Sequence, residues 1–422
     1  MTAIADLPDI RPSLLLDFAN SGRVDPRIEC TRASSATCWG PDGKLRTVAA
    51  NVPRIDYDPV TGKCLGLLVE EARTNLVQRN GNAGAAVGVL ESGGALPTGW
   101  SAITANGLTA EVLSVGAEDG IPYVDVRFYG TSTTTYQGFV FGNISGYVPS
   151  TAYTGSFYVK LIGGAIPANG NAQFKIRYNI QGGATDINSS HLVTAHFVAD
   201  KLAANRLTVS GTTSANATGS GQLLIVFNYA VGTAIDFSVR LGLPQLEAGG
   251  GATSPILTSG AAATRAGDAI SMEMPAYNDI SICTDFMHGG KLANTRALGL
   301  YASSATASSV QVIGSNMTGT SSAGVIASPS GPNTTPGVFP AISGRVDRVA
   351  FSRGGSNGAM LTAARGIALA SGTHSGTTAA MQTLAFGNST PAGALTLNGW
   401  VRRVSIWLST LSQPQLNKIT EV

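Results

Sequence analysis

Hydrophobic and polar residues alternate along three stretches in the middle of the chain, residues 152–161, 173–180 and 234–243. The apolar positions of these stretches are Tyr153, Phe157, Val159 and Leu161, then Phe174, Ile176, Tyr178 and Ile180, then Ile235, Phe237, Val239 and Leu241. A period of two is typical of strands that bury one face and expose the other. Clusters of Gly, Asn and Ser separate the strands, which predicts a sandwich or barrel between residues 105 and 247.

Further short strands are predicted after a glycine-rich break at residues 249–251, and residues 251–268 are predicted to be a linker. Near position 412 the pair Ser412 and Gln415 fits a capping box, and Pro414 suits a first helical turn. The predicted fold class is therefore all-β: an N-terminal module over residues 1–80, two β-sandwich (jelly-roll) domains over 81–250 and 269–422, and a short C-terminal helix.

Composition supports this prediction and excludes several functions. The chain has 52 glycines among 422 residues and only 12% charged residues, which disfavours long helices. Its 43% hydrophobic residues are enough to build cores. The net charge is only +2 and Lys and Arg do not cluster, so we expect no nucleic-acid binding. Because no apolar run reaches the length of a membrane span, we expect no membrane insertion.

Charge is concentrated at the start of the chain. Residues 1–80 hold ten acidic and ten basic residues, although they make up less than a fifth of the sequence. A charged start before a charge-poor body suggests a docking module followed by display domains, because ion pairs specify register at interfaces. The alternative is an ordinary polar N-terminal segment.

Candidate catalytic and metal-binding groups are few. The adjacent residues Glu70 and Glu71 would face opposite sides of a strand, and Asp56 and Asp58 lie in turn-like sequence. We therefore predict salt bridges with Arg54 or Arg73 instead of catalysis, and no enzyme activity. The histidines at 191, 196, 288 and 374 show no metal-binding spacing, so no metal site or cofactor is predicted. A structural calcium ion held by loop oxygens stays open.

The four cysteines, at positions 30, 38, 64 and 283, match no zinc pattern. We predict free or buried thiols, with a Cys30–Cys38 disulfide as the alternative.

Aromatic residues give the sharper functional hypothesis, because sugar-binding sites stack rings on pyranose faces. Within residues 121–129, Tyr123, Arg127 and Tyr129 fall on the side opposite the apolar residues. Together with Tyr136 and Arg177, they are predicted to form one wet, glycan-binding sheet face. The alternative is a solvated or subunit-packing surface.

Three tryptophans receive structural predictions. Trp100 is predicted to be a core residue. Trp400 and Trp407 are seven positions apart in one strand, which would put them on opposite sides of it. One of the two is expected to be buried, and the other to be covered by the terminal helix or a partner chain.

Three regions resemble known families. Residues 12–75, with LDFA, TRAS, PRIDYDP and LLVEEARTN, resemble the N-terminal module of phage head-spike, head-fibre and tail-fibre proteins. The next region opens with LPTGWS at residue 96 and ends in PQLEAG and TRAGD, and it resembles carbohydrate-binding-module jelly rolls of the same proteins. Residues 384–420 are similar to the closing strand and helix of concanavalin-like sandwiches.

The resemblance implies a virion structural protein, made in the bacterial host cytoplasm. Residues 1–80 would attach it to other virion proteins of the capsid, collar or tail. Its sandwiches would bind host cell-surface glycans, and cyclic symmetry makes a homotrimer the expected assembly. Two alternatives stay open: a tailspike that depolymerises glycans, and an architectural capsid decoration protein without ligand affinity.

Overall fold

We analysed a computed structural model of the chain, which describes residues 10–103, 107–182, 185–198, 200–289, 295–301, 311–314, 324–327, 344–354, 359–369, 372–373, 380–388, 392–393 and 396–421. The all-β prediction is confirmed, since strands dominate and the two α-helices are short. None of the helices in these ranges is long and apolar enough to cross a membrane.

The elements of the N-terminal region are short. They are β1 (Leu14–Asp17), α1 (Phe18–Ser21), β2 (Ile28–Thr31), β3 (Ala36–Trp39), β4 (Leu45–Val48), β5 (Arg54–Tyr57), β6 (Cys64–Val69), β7 (Arg73–Asn75), β8 (Gly88–Val89) and β9 (Ser101–Ile103). Longer strands follow, namely β10 (Leu108–Glu118), β11 (Ile121–Thr131), β12 (Tyr136–Ser145), β13 (Ala152–Gly164), β14 (Asn171–Ile180), β15 (Thr185–Leu192), β16 (Arg206–Thr212), β17 (Ala217–Asn228) and β18 (Ala234–Ala248). Single 3-10 turns lie at Thr194–His196 and Leu202–Ala204.

The remaining strands belong to the C-terminal region. They are β19 (Ala263–Arg265), β20 (Ala269–Tyr277), β21 (Ile280–His288), β22 (Leu298–Tyr301), β23 (Gln311–Gly314), β24 (Gly324–Ala327), β25 (Val346–Arg353), β26 (Ala359–Ala364), β27 (Ile367–Ala368), β28 (Gly372–Thr373), β29 (Met381–Phe386) and β30 (Gly399–Trp407). Helix α2 (Gln413–Thr420) follows them.

The first sandwich pairs two antiparallel sheets. In the described part of the chain, one has the order β16-β13-β18-β11-β10-β8 and the other the order β15-β14-β17-β12-β9. The alternating apolar residues of β13, β14 and β18 meet between the sheets, as their period predicts. Phe227 lies at the centre of an aromatic cluster, with its ring 5.0 Å from Phe237 and 5.3 Å from Phe197. Trp100 is in this core, as expected.

The second sandwich contains strands from both ends of the chain. One sheet has the order β27-β26-β25-β21-β30-β6-β5, with β1 also on β30 and β28 on β26, and the other has the order β2-β20-β29-β22-β23-β24. Residues 1–80 were expected to form a separate module. Instead, β1 and β6 pair with β30, and β2 pairs with β20. Their apolar side chains enter the core of the second sandwich, so this segment shares that core.

The segment 251–268, expected to be a linker, is packed into a junction between the sandwiches. Its strand β19 pairs with β7, and Thr253, Ile256, Arg265 and Asp268 are buried. The segment contains only two large apolar residues, Ile256 and Leu257, so its sequence looks like a loop. It is ordered by hydrogen bonds and ion pairs to other parts of the chain, which local sequence does not reveal.

Helix α2 begins as predicted. The backbone N–H of Ser412 donates to Oε1 of Gln415 at 2.9 Å, which completes the capping box. Leu416 from the helix is buried in one cluster with Trp407, Ala350 and Ala363, and the helix covers the outer side of β25 and β26.

The expected placement of the two tryptophans on opposite sides of β30 is wrong. The register of β30 against β21 shifts between Val401 and Arg403, so a β-bulge adds one residue there. The bulge changes the phase of the alternation. Val401 and Val404 both enter the sandwich core, and Trp400 and Trp407 both lie on the outer face.

Candidate functional site

The five residues predicted to bind glycan lie in two different sheets. Tyr123, Arg127 and Tyr129 lie on β11 of the six-stranded sheet, whereas Tyr136 is on β12 and Arg177 on β14 of the five-stranded sheet. All five point outward, because their strand neighbours fill the core between the sheets. The two groups therefore face opposite sides of the sandwich. Alternation within a strand shows which residues are outward, but not to which sheet the strand belongs.

The outward rings of β11 are covered by arginines. Arg127 donates twice to Asp236, at 2.8 and 2.7 Å, and lies 4.6 Å from the ring centre of Tyr129. The guanidinium of Arg240 lies 3.5 Å from the ring centre of Tyr123. These cation–π contacts occupy ring surface that a sugar would need.

Tyr136 and Arg177 are far apart on the other outer face. On the shared neighbour strand β17, Tyr136 pairs with Asn228 and Arg177 with Gln222. Six residues of strand separate those partners, a distance of about 20 Å. Tyr136 is 47% exposed, so its ring lies on the surface at a distance from Arg177.

A cleft of about 250 Å³ opens where the two sandwiches meet. It is formed by β3, by β5 and the turn after it, by residues 251–255 and by β30. Three of its lining residues are half-buried aromatic rings: Trp39, Tyr57 and Trp400. Trp400 was predicted only to be a structural residue, and no role was predicted for Trp39 or Tyr57. The available signal in the sequence was that Trp39 and Tyr57 are aromatic residues within turn-rich, polar segments.

Asp56 connects two of these aromatic residues. Its Oδ1 accepts a hydrogen bond from the backbone N–H of Trp39 at 2.7 Å, and its Oδ2 accepts one from the indole N–H of Trp400 at 2.9 Å. Burial raises the pKa of this carboxyl group to about 6. The carboxyl group thus holds the backbone at Trp39 and the indole ring of Trp400, although it forms no salt bridge within the described residues.

Asp58 lies at the turn on the rim of the cleft. Its Oδ1 accepts hydrogen bonds from the backbone N–H groups of Val60 and Thr61, at 2.9 and 2.8 Å. Partial burial opposes ionisation, but these donors, Thr61 first, lower the pKa of Asp58 overall. The carboxyl group is therefore ionised at neutral pH.

The floor of the cleft adjoins a buried network of ion pairs. Oε2 of Glu70 lies 2.8 Å from Arg54 and 2.9 Å from Arg265, and its Oε1 accepts the backbone N–H of Ser254 at 2.6 Å. Burial would raise the pKa of Glu70, but the arginines, Arg265 first, lower it to about 2. The predicted pairing of Glu70 with Arg54 is confirmed, as is that of Glu71 with Arg73. The same prediction is wrong for Asp56 and Asp58, which form no salt bridge within the described residues.

Asp268 extends the network to the N-terminal strands. Its carboxylate lies 2.8 Å from Arg32 and 2.5 Å from Arg54, and both guanidinium groups are fully buried. These charged residues come from the TRAS, PRIDYDP, LLVEEARTN and TRAGD segments. The segments that carry the family resemblance therefore meet at one place, where they join the N-terminal strands to the sandwich junction.

Asp56 gives a testable dependence of stability on pH. Its raised pKa means that the folded protein keeps a proton that the unfolded chain releases between about pH 4 and pH 6. Its contribution is thus fully present below about pH 4 and is lost as pH rises through 6, a change of about 2 to 3 kcal/mol. We expect Asp56→Asn to remove this slope. Urea unfolding of both proteins at several pH values measures it, and a difference between them that does not vary with pH would contradict the assignment.

The described residues contain no cluster of His, Cys, Asp or Glu that could hold a metal ion. All four cysteines are free, so the disulfide alternative for Cys30 and Cys38 is wrong.

Comparisons with known proteins give distant structural neighbours. No family model and no curated protein matches the chain. Domain 4 of the arabinanase AbnA from Geobacillus stearothermophilus, in complex with arabinotriose, is 16% identical, with 41% of this chain and 82% of that chain covered and a TM-score of 0.29. The CBM22-1 xylan-binding domain of Paenibacillus barcinonensis Xyn10C is 15% identical, with 42% and 92% covered and a TM-score of 0.23.

A third neighbour, Trypanosoma rangeli sialidase in complex with sialic acid, is 10% identical, with 93% of this chain and 98% of that chain covered and a TM-score of 0.26. The neighbours thus include carbohydrate-binding domains and one enzyme. These scores are too low to transfer a site or an activity to this chain, so function has to be argued from its own residues.

Proposed function

We propose that this protein is a structural component of a bacteriophage particle that binds glycans of the host surface, with the junction cleft as its sugar site. The observation that carries the proposal is the grouping of Trp39, Tyr57 and Trp400 with Asp56 and Asp58 in one open cleft. Indole and phenol rings provide apolar faces for the C–H side of a pyranose. Carboxylate oxygens at the ring edges accept hydrogen bonds from sugar hydroxyls.

The cleft is better suited to sugar binding than the sheet faces are. Its aromatic rings come from three separate strands, and the indole of Trp400 is fixed by its hydrogen bond to Asp56, which reduces the entropy lost on binding. Its volume lies near the lower end of the range for ligand pockets, which favours a short stretch of glycan.

Removing the Trp400 ring should weaken glycan binding at least tenfold, because central aromatic residues dominate such contacts. Trp400→Ala and Trp400→Phe would be compared with wild type on a glycan array and then by calorimetry with the strongest ligand. Trp400→Phe keeps a ring but loses the hydrogen bond to Asp56, so it should show an intermediate loss.

Tyr136→Ala is the matched control, since it removes an exposed ring on the outer face of the jelly roll. We expect its affinity to equal that of wild type. Loss of binding in Tyr136→Ala with full binding in Trp400→Ala would assign the site to the sheet face instead.

The virion role rests on the resemblance of residues 12–75 and 96–268 to phage spike and fibre proteins. It includes contacts of residues 1–80 with capsid, collar or tail proteins, a homotrimer, and assembly in the bacterial host cytoplasm. Light scattering of the purified protein tests the trimer, and a monomer at micromolar concentration would count strongly against a fibre.

A depolymerase is the second candidate, favoured by one observation. Asp56 has the raised pKa that a general acid of a glycosidase needs. The other buried carboxylate of the cleft, Glu70, is held by two arginines and by Ser254, which leaves it unsuited to act as a nucleophile or base. Incubation with capsular polysaccharide distinguishes the two functions. A binding protein releases no oligosaccharides, whereas an enzyme releases them in wild type but not in Asp56→Asn.

A further inference from the structure

The positive groups that line the cleft are already engaged. Arg73 pairs with Glu71. Nη1 of Arg206 donates to the carbonyl of Thr253 at 2.7 Å, and its Nη2 donates to Oγ of Ser156 at 2.9 Å. Recognition of an acidic sugar usually relies on two parallel N–H groups of one arginine. Neither arginine of the cleft has both terminal nitrogens available for that arrangement.

Negative groups outnumber positive groups in the lining of the cleft. Within the described residues, Asp56 and Asp58 form hydrogen bonds to N–H groups but no salt bridge with a cation. Glu70 is neutralised by Arg54 and Arg265. At neutral pH, the two carboxylates outnumber the guanidinium of Arg206, which forms no salt bridge within the described residues, so the cleft carries an excess of negative charge, located at its aromatic walls.

The aromatic rings of the cleft also favour a bound cation. The faces of Trp and Tyr carry negative electrostatic potential and attract cations, with Trp the strongest of the aromatic residues. Trp39, Tyr57 and Trp400 line the same cleft as the two aspartates. An ammonium group between ring faces and carboxylates would gain both a charge-assisted hydrogen bond and a cation–π contact.

We infer that the cleft selects sugars that carry a protonated amino group over neutral and acidic sugars. This inference rests on the proposed function, because it names the class of glycan that the cleft binds. The amino group replaces the missing cation beside Asp56 and Asp58, while the pyranose ring stacks on the tryptophans.

Matched oligosaccharides test this inference. Tetramers of glucosamine and of N-acetylglucosamine share ring, linkage and length, but only the first carries ammonium groups. Calorimetry at about pH 6.5, where Asp58 is ionised, should show roughly tenfold tighter binding of the glucosamine tetramer, at the lower end of the effects of close charge pairs. Added salt should reduce this preference. A galacturonic acid tetramer, which is anionic, should not bind.

Two aspartate variants test whether the preference for glucosamine arises in the cleft. Asp58→Asn removes a rim carboxylate and should reduce the preference for glucosamine, because it weakens binding of the glucosamine tetramer more than binding of the acetylated tetramer. Asp236→Asn removes an exposed carboxylate on the jelly-roll surface and should change neither. Circular dichroism spectra of both variants should match that of wild type.

The possible failures are distinguishable. Equal affinity for both tetramers, lost in Trp400→Ala, would overturn the amino-sugar inference and leave the glycan-binding function standing. Trp400-dependent binding of the galacturonic acid tetramer would do the same. A preference for glucosamine that persists in Trp400→Ala would place the charge effect outside the cleft and overturn the inference. If the wild-type protein bound none of the three tetramers and no glycan on the array, both the amino-sugar inference and the glycan-binding function would be overturned.

Discussion

Replacing Asp268 by asparagine should lower the free energy of unfolding by about 3 to 5 kcal/mol, the usual effect of breaking a buried ion pair. Its two carboxylate oxygens lie against Arg32 and Arg54, and all three side chains are fully buried. One oxygen also accepts the backbone N–H of Glu70 at 2.9 Å. An amide would leave the two guanidinium charges uncompensated in a site that water does not reach.

The control is Asp25→Asn. Asp25 forms an exposed ion pair with Arg27, and its Oδ2 lies 2.8 Å from Nη2 of Arg27. Exposed pairs contribute about 0 to 1 kcal/mol, so this variant should unfold almost as wild type does. Urea denaturation followed by tryptophan fluorescence measures both. Equal, small effects of the two substitutions would show that the network is not a main source of stability.

Phe227→Ala should also destabilise the protein by about 3 to 5 kcal/mol, because it opens a cavity at the centre of the first sandwich. Its ring is fully buried and contacts Phe237, Phe197 and Phe128, the last at 6.2 Å between ring centres. The surrounding rings belong to both sheets, and the backbone hydrogen bonds within each sheet limit how far these residues can move to fill the cavity.

Calorimetry of Phe227→Ala also shows whether the sandwiches unfold together. If the junction network couples them, the whole transition shifts to lower temperature as one peak. A separate low-temperature peak would show that the first sandwich unfolds by itself. Tyr136→Ala, which truncates an exposed ring on an outer face, should leave the profile unchanged.

The sequence predicted those features that depend on neighbouring residues. The alternation of apolar and polar residues predicted the strands that contain Phe174 and Phe237. The spacing of Ser412 and Gln415 predicted the start of α2. These features follow from local geometry, with a period of two for a strand and one hydrogen-bonded turn for a helix cap.

Long-range pairing could not be predicted in the same way. Ten acidic and ten basic residues in the first 80 positions are consistent with an intermolecular interface and equally with an internal network, and the structure shows that Arg32, Arg54 and Glu70 belong to the latter. The cleft was missed for the same reason. Tyr57 and Trp400 are brought together because β5 and β30 both pair with β6. Trp39, on β3, joins them through the hydrogen bond from its backbone N–H to Asp56 of β5.

The pairing of β1 and β6 with β30 also matters for how the protein is made. These early strands leave the ribosome long before their partner, since more than 300 residues separate Val69 from Gly399 in the register. At the usual speed of bacterial translation this is a delay of roughly 15 to 65 seconds. During that time the nascent N-terminal strands have open edges while the first sandwich can already fold. We therefore expect them to be a main point of chaperone contact during synthesis.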